Sequence, residues 1–382
     1  MLESREIEQV FLYTLQEDDN RDEINKRIRQ FNNNDWQILY ELVTKSGLFC
    51  VFYTKLLSLK LGNTPPDFLS KLKNAYFLNL KRNTLLEREL FSILTYFKEL
   101  NIPVIPLKGP TLARHLYNDL GLRWASCDLD LLVKYEAMDE AGEKLGELGY
   151  RFSLIDYKRD FLCPIGLSKQ VRQIMFNKSI DETLSISLDL HWCIRGFFSD
   201  NSMQKLWQEA GYFDLDGQKI STLSHEDTLL YLSIISISTL EFVQLKYIYD
   251  IHRLATVFGK ELDWDKLLCK VKHLNLENCL YFPLKLSKIL FSTDIPSAFL
   301  AEIRPDWITR KLISIWINEK SVLEFGQKIQ SNYPLRYLLG RYFYSHSPND
   351  FLRKSFGRIL KGGPDARLKR IKKEPRYCLS HH

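Results

Sequence analysis

Cysteine is scarce in this 382-residue chain, which has seven of them, scattered and without a Cys-x-x-Cys pair. This usage fits a reducing compartment better than a disulfide framework. Long apolar runs are also missing, since the most apolar stretch, LLYLSIISISTL (229–240), is too short and too rich in serine to span a bilayer. The N-terminus, MLESREIEQVF, is charged from its third residue and lacks the apolar segment of a secretory signal. We therefore expect a soluble, cytoplasmic protein.

Positive charge is concentrated near the C-terminus. Between Arg353 and Arg376, ten Lys or Arg residues stand against two acids, whereas the net charge of the whole chain is +6, so the remainder is slightly acidic. Such a tail either binds an acidic partner or nucleic acid, or is simply solvated. The preceding aromatic and basic segment, SNYPLRYLLGRYFYSHS (331–347), has a composition that can stack on RNA bases, although aromatic residues at helical spacing are also typical of a core.

Hydrophobic periodicity divides the chain into four parts. Residues 1–85 have apolar residues at three- and four-residue spacing and predict a helical region, with Asp35 and Asp67 as expected helix caps. Residues 86–220 alternate short apolar runs with helical segments, which predicts a small α/β unit. Residues 221–350 are again helical in pattern, and residues 351–382 form the basic tail.

Two aspartates one residue apart lie in RWASCDLDLLV (123–133), a run that otherwise predicts a buried strand. Asp is depleted in strands, and charged residues are rarely buried without a partner. Asp128 and Asp130 project from the same strand face, roughly 6.6 Å apart, and repel each other unless a cation lies between them. Mg²⁺ held by carboxylates and substrate phosphates serves nucleotidyl transfer. The pattern predicts a metal site, although an isolated Asp-x-Asp pair also arises by chance.

A third acid and two basic groups extend this prediction. Asp189 is a lone acid in the strand-like run ISLDLHW, and we expect it to bind the metal and to help deprotonate an acceptor hydroxyl. His191 shares its strand face and is also consistent with a satisfied core histidine. The pair Lys108-Gly109 lies between a strand and a helix, where a tight turn and a positive charge suit a phosphate, or simply begin the helix. Arg123 offers a forked donor to a phosphate oxygen, or a salt bridge.

The stretch PLKGPTLARHLYNDLGLRWASCDLDLLV (106–133) resembles the signature of an uncharacterised nucleotidyltransferase family of the DNA polymerase β-like superfamily. The matching residues are Leu107, Lys108, Gly109, Leu112, Leu116, Tyr117, Arg123, Asp128, Asp130, Leu132 and Val133. Downstream, LDLHW (188–192) resembles the family's third-carboxylate strand, and LKYIYDIHRLA (245–255) resembles a helical segment that brings in Lys246 and Asp250. The Gly-Ser phosphate motif of the superfamily is absent, and the Lys-Gly pair takes its place.

The resemblance implies an α+β fold: a polymerase β-like nucleotidyltransferase core, built as a small mixed sheet with flanking helices, between N-terminal and C-terminal helical regions. It implies a Mg²⁺-dependent enzyme, with Mn²⁺ as the alternative ion, that transfers a nucleotidyl group from an NTP to an acceptor hydroxyl and releases pyrophosphate. The implied catalytic and metal-binding residues are Asp128, Asp130 and Asp189, and the implied nucleotide-binding residues are Lys108, Gly109, Arg123 and Lys246. Because proline cannot donate to a sheet ladder, Pro106 requires the first strand to be short or at an edge.

Two other functions use a similar pattern. A glycosyltransferase that binds a nucleotide-sugar also uses Asp-x-Asp with a metal, but its core needs a longer run of βα units before the motif. A non-catalytic nucleotide-binding module keeps the fold without the reaction. For Lys246 and Asp250, an i,i+4 salt bridge is a purely structural alternative. The acceptor (protein or peptide, small molecule or RNA), the donor base and the oligomeric state are not readable from the sequence.

Overall fold

The computed structural model of the protein describes residues 4–16, 20–125, 128–152, 173–181, 185–194, 200–238 and 245–314. Its helices are α1 (Ser4–Leu15), α2 (Arg21–Ile28), α3 (Asn33–Ser46), α4 (Phe49–Leu59), α5 (Pro66–Glu99), α6 (Pro110–Leu112, continued by a π-helical turn over Ala113–Tyr117), α7 (Met138–Glu147), α8 (Asp200–Gln208), α9 (His225–Ser238), α10 (Leu245–Phe258), α11 (Trp264–Leu274), α12 (Glu277–Phe291), α13 (Ser297–Glu302) and α14 (Trp307–Ser314). Its strands are β1 (Val104–Pro106), β2 (Asp128–Val133), β3 (Arg151–Phe152), β4 (Gln173–Ser179), β5 (Ser185–His191), β6 (Gly211–Leu215) and β7 (Gln218–Thr222).

Five strands form one mixed sheet in the order β1-β2-β5-β4-β3. Strands β2 and β5 pair in parallel, and every other pair in this sheet is antiparallel. Strand β1 has three residues and lies at the edge of the sheet, as Pro106 requires because its nitrogen cannot donate to a neighbouring strand. The predicted α+β class, with a small mixed sheet between helical regions, is confirmed for the described part of the chain.

The two faces of β2 belong to two different cores. Leu129, Leu131 and Val133 pack on one side with the C-terminal half of α5 and with α7. Leu132 points to the opposite side, where the N-terminal helices and the helices from α9 onward share one apolar core. The alternation of side chains along a strand therefore puts Asp128 and Asp130 on the face that the two helical regions cover.

Helix α5 is a single helix of 34 residues, and the predicted boundary between residues 85 and 86 falls inside it. The division of the chain into domains stays a prediction. The caps differ from expectation: Asn32 caps α3, with Asp35 as the reciprocal partner three residues on, and α5 begins at Pro66 after Pro65. None of the helices in the described ranges is both long enough and apolar enough to cross a membrane.

Two sequence predictions fall beyond these ranges. The aromatic segment 331–347 and the basic tail 351–382 lie outside the described residues.

The sequence pattern did not predict the second sheet, which is the hairpin of β6 and β7. Its turn has the sequence that favours a two-residue hairpin, the pair Asp216-Gly217. Both residues are left-handed, with φ of 52° and 81°, as such a turn requires.

Candidate active site

Three aspartates lie on one face of two neighbouring strands. The parallel register pairs Asp130 with Asp189, and Asp128 lies two residues before Asp130 on β2. Asp130 is 4% exposed and Asp189 8% exposed, so both carboxyl groups are almost out of water. Two buried acids side by side on adjacent strands are unfavourable in the absence of compensating cations. Without a cation, this pair of acids therefore lowers the stability of the folded protein.

Lys108 supplies one of these cations. Its Nζ lies 3.1 Å from Asp128 Oδ2 and 2.9 Å from Asp130 Oδ2. Strand β1 delivers it, because the backbone N–H of Leu107 donates to the carbonyl of Asp130, and the chain then turns at Gly109 with φ 75° and ψ −136°. That conformation is essentially restricted to glycine. Lys108 thus relieves the expected repulsion between Asp128 and Asp130. The repulsion between Asp130 and Asp189 is not relieved in this way, because Lys108 lies on the side of Asp130 that faces Asp128.

The second oxygen of Asp130 faces a histidine. His191 Nε2 lies 3.0 Å from Asp130 Oδ1, and one ligand atom from each of Asp130, Asp189 and His191 falls within 4.8 Å of the others. Asp189 accepts a hydrogen bond from Gln173 Nε2 on one oxygen, at 3.3 Å, while its Oδ1 is buried and has no hydrogen-bond partner among the described residues. A buried carboxylate oxygen with no donor is the kind of group that a cation satisfies.

The environments of the two acids separate their pKa values. Burial, reinforced by the charge of Asp130, raises the pKa of Asp189 to about 7. Burial also acts to raise the pKa of Asp130, but the Lys108 ammonium and the hydrogen bond with His191 outweigh it and lower that pKa to about 2. For Lys108, burial is outweighed by the carboxylates of Asp130 and Asp128, which hold its pKa well above the usual value. One acid is permanently charged at neutral pH, and its neighbour titrates there.

Arg123 lies in a buried ion pair. Its Nε and Nη2 donate to the carboxylate of Asp250 over 2.9–3.1 Å, and Tyr117 Oη donates to the same carboxylate at 2.8 Å. Arg123 is 4% exposed and Asp250 1% exposed. This pair joins the loop before β2 to helix α10. The nucleotide-binding role of Arg123 stays a prediction, and the structural alternative of a salt bridge is what the contacts display.

Lys246, one helical turn before Asp250 on α10, does not pair with it in the described part of the chain, since Asp250 is held by Arg123. Its Nζ lies 5.6 Å from the ring centre of Trp124 and 5.0 Å from that of Tyr247. Burial, together with the charge of Arg123, lowers the pKa of Lys246 to about 8. Because burial disfavours the charged form of Lys246, an anionic ligand that binds beside it would stabilise its ammonium group.

Two asparagines on α5 hold the loop that leads into β2. Asn79 Nδ2 donates to the carbonyls of Gly121 and Arg123, and its Oδ1 accepts from the N–H of Ala125. Asn83 Nδ2 donates to the carbonyls of Leu120 and Arg123. Sequence reasoning missed both residues. Their only signal is that they are polar residues on the buried side of a helix, one turn apart.

His191 and Gln173 were also absent from the predicted site. His191 was placed correctly on the face of Asp189 by strand alternation, but its contact with Asp130 depends on the pairing of β2 with β5. Gln173 reaches Asp189 because β4 pairs with β5. Neither pairing is encoded within a single segment. Tyr231 on α9 closes the same face, and burial with the nearby charge of Asp130 raises its pKa well above the usual value.

Comparisons with known proteins point in one direction. A family model described as an uncharacterised nucleotidyltransferase matches residues 32–292. No curated protein sequence matched the chain. Two of the solved structures that match have TM-scores near 0.3. One is a lincosamide antibiotic adenylyltransferase, LnuA, bound to lincomycin (17% identity, 45% of this chain, 97% of that chain, TM-score 0.31). The other is an antigenic nucleotidyltransferase-like protein from Paracoccidioides brasiliensis (13% identity, 54% of this chain, 91% of that chain, TM-score 0.30). Overlap at this level does not bear on substrates.

Proposed function

This chain belongs to the uncharacterised nucleotidyltransferase family, and on that premise we propose that it transfers a nucleotidyl group from an NTP to an acceptor hydroxyl in a reaction that depends on Mg²⁺ or Mn²⁺. The observation that carries the proposal is the convergence of Asp128, Asp130, Asp189 and Lys108 on one sheet face. Carboxylates that hold a divalent ion and a lysine that meets a phosphate are the groups this reaction needs.

The residues present fit a divalent cation. Asp189 Oδ1 is buried with no donor, and Asp130 keeps its negative charge at any physiological pH. Asp130 and Asp189 would hold the ion, with Asp128 reaching it once Lys108 engages the nucleotide. When bound, the ion supplies charge neutralisation at the reacting phosphate and orients the phosphate oxygens.

The remaining groups of this chain have separate roles. Lys108 binds the triphosphate through its ammonium, and Gly109 permits the turn that aims it. Lys246 adds a second positive charge from α10, and the Arg123–Asp250 pair keeps α10 fixed against the loop before β2. Asp189 would accept the proton of the acceptor hydroxyl as the hydroxyl oxygen bonds to the α-phosphorus and pyrophosphate leaves.

The proposal is tested by label transfer. Each α-³²P-labelled NTP is incubated with the protein, Mg²⁺ or Mn²⁺ and three acceptor pools: the protein itself with an added peptide mixture, total RNA, and a small-molecule extract. We expect label to appear in one pool with one NTP, together with pyrophosphate, and to be lost in Asp130→Asn. The exposed turn variant Asp216→Asn is the matched control and keeps activity. Pyrophosphate release that persists unchanged in Asp130→Asn would contradict the site.

A glycosyl donor is the second outcome to examine. UDP-glucose and GDP-mannose, each labelled in the sugar, are tested in the same three pools. Transfer of sugar with no transfer from any NTP would replace the proposed donor while keeping the site. Binding of NTP with no transfer in any pool favours the non-catalytic alternative.

A further inference from the structure

Histidine is unusual at a magnesium-dependent phosphoryl-transfer site, and one lies within ligand distance of this one. We infer that His191 supplies a nitrogen ligand to the divalent ion, which makes a first-row transition ion, Mn²⁺ in preference to Mg²⁺, the cation bound by Asp130, Asp189 and His191. The inference deepens the proposed function and rests on it only for the identity of the reaction, since ion binding is measured on its own.

The two oxygens of Asp130 face different basic side chains. Oδ2 lies 2.9 Å from Lys108 Nζ, which also holds Asp128. Oδ1 faces His191 Nε2 at 3.0 Å. The lysine therefore occupies the space between the two aspartates of the Asp-x-Asp motif, and the open side of Asp130 is the side of β5. On that side, Asp130, Asp189 and His191 offer ligand atoms within 4.8 Å of one another, whereas Asp128 is engaged by Lys108.

The unsatisfied group lies on that same side. Asp189 is 8% exposed, and within the part of the chain that the structure describes its Oδ1 has no hydrogen-bond partner. Ligand atoms of the three residues are within 4.8 Å of one another, a spacing that one ion can bridge. If His191 were present only to donate a hydrogen bond to Asp130, the orphaned oxygen of Asp189 would remain buried at full desolvation cost. One ion bound to all three satisfies it.

The donor set decides which ion is preferred. Mg²⁺ takes oxygen ligands in a strict octahedron and is usually held by one or two carboxylates with waters and phosphates. An imidazole nitrogen suits first-row transition ions such as Fe²⁺ and Zn²⁺, and Mn²⁺ begins the series along which affinity at mixed nitrogen and oxygen sites rises. Mn²⁺ combines acceptance of one nitrogen with the octahedral, oxygen-rich coordination that substrate phosphates require. Two carboxylates and one imidazole leave about three positions for water and phosphate.

Pulsed electron paramagnetic resonance of Mn²⁺ on the nucleotide-free full-length protein tests the inference directly. A directly bound imidazole gives a ¹⁴N coupling in the spectrum, which oxygen ligands do not. We expect this coupling in the wild type and its loss in His191→Gln, whose amide can still donate to Asp130 and whose only ligand atom is oxygen. Mn²⁺ affinity should fall at least about tenfold in that variant, because even groups behind the ligands change affinity by that factor. Mg²⁺ affinity, measured by displacement of Mn²⁺, should change far less.

The control is His273→Gln, which removes an exposed histidine at the end of α11 and should leave both spectrum and affinities unchanged. A wild-type spectrum without ¹⁴N coupling overturns the inference whatever the variants do, so a variant that does not fold leaves the test intact. Equal Mn²⁺ affinity of the wild type and a folded His191→Gln also overturns it. Label transfer lost in Asp130→Asn without ¹⁴N coupling in the wild type refutes the ligand and keeps the enzyme. Coupling without any transfer keeps the ligand and refutes the enzyme.

Discussion

Replacing Asp189 by Asn should make the metal-free protein more stable at neutral pH, although it removes a group of the proposed active site. Asp189 lies beside Asp130 across the parallel ladder, is 8% exposed and has one oxygen with no partner. Its burial raises its pKa from 3.8 to about 7. The folded protein therefore holds a carboxylate that prefers to be neutral, whereas the unfolded chain ionises freely.

The size and sign of the effect follow from that shift. A difference of about three pKa units corresponds to about 4 kcal/mol, since each unit is worth about 1.4 kcal/mol. Because the folded-state pKa is raised, the unfolded state loses its proton first, and the free energy of unfolding falls as the pH rises from 3.8 to 7. Asn carries no charge at any pH. Asp189→Asn should therefore exceed the wild type by up to about 4 kcal/mol at pH 8 and by almost nothing near pH 4.

The assay is thermal and urea unfolding in EDTA at pH 4.5, 6 and 8. We expect the difference in unfolding free energy between Asp189→Asn and wild type to grow with pH, while Asp216→Asn, in the exposed hairpin turn, stays within about 0.5 kcal/mol throughout. Adding Mn²⁺ or Mg²⁺ should stabilise the wild type and reduce the difference at pH 8 from about 4 kcal/mol to about 1 kcal/mol, because an ion at 100 times its dissociation constant contributes about 2.7 kcal/mol. A variant that is less stable than wild type at pH 8 without metal, or a difference independent of pH, refutes the reasoning.

Three further substitutions have expected effects on the free energy of unfolding. Asp130→Asn should destabilise the metal-free protein by about 2 kcal/mol above pH 4, because the folded protein lowers the pKa of Asp130 from 3.8 to about 2. This stabilisation by the Asp130 carboxylate is lost only as the pH falls through 2, so urea unfolding at pH 7 and pH 2 checks the prediction. Lys246→Met should raise the free energy of unfolding by at most about 3 kcal/mol below pH 8, and this gain should vanish above pH 10.5. The same substitution should weaken NTP binding measured by calorimetry. Unchanged NTP affinity would leave Lys246 with a structural role only. Asp250→Asn leaves Arg123 buried without its carboxylate and should cost about 3–5 kcal/mol, seen as a large fall in the urea midpoint; a change below 1 kcal/mol contradicts the importance of the pair.

The features that the sequence predicted well are those with a local period. The run around Asp128 and Asp130 and the run around Asp189 alternate apolar and polar residues, and both are strands in the structure. The position of Pro106 restricted the first strand to a short edge strand before any pairing was known. The Lys108-Gly109 turn between strand and helix depends on the backbone preference of glycine, which is also local. Such signals need only a few neighbouring residues.

The features that the sequence did not predict depend on which elements meet. Asp35 carries the signal of a helix start, but Asn32, three residues earlier, accepts the first backbone donors, and Asp35 accepts from the N–H of Asn32. A salt bridge between Asp250 and Lys246, one turn away on the same helix, was the structural alternative for this pair, yet Arg123, more than 120 residues earlier, binds Asp250. A bidentate guanidinium in a buried site outweighs a flexible lysine at i−4, because its two donors match a carboxylate at a smaller entropy loss.

The distribution of charge at the site gives a reason for the order of events in a reaction. Lys108 Nζ lies 3.1 Å from Asp128 Oδ2 and 2.9 Å from Asp130 Oδ2. In the proposed reaction, the triphosphate and the two acids would compete for this ammonium. Once a nucleotide had taken it, Asp128 and Asp130 would lose their compensating cation and would bind a divalent ion more tightly. We therefore propose that Lys108 links binding of the nucleotide to binding of the ion. Lys108→Met should bind Mn²⁺ more tightly than the wild type in the absence of NTP and should bind NTP more weakly. Adding NTP should then give no further gain in Mn²⁺ affinity. Ion affinity that is unchanged by the substitution would mean that Lys108 does not compete for the acids.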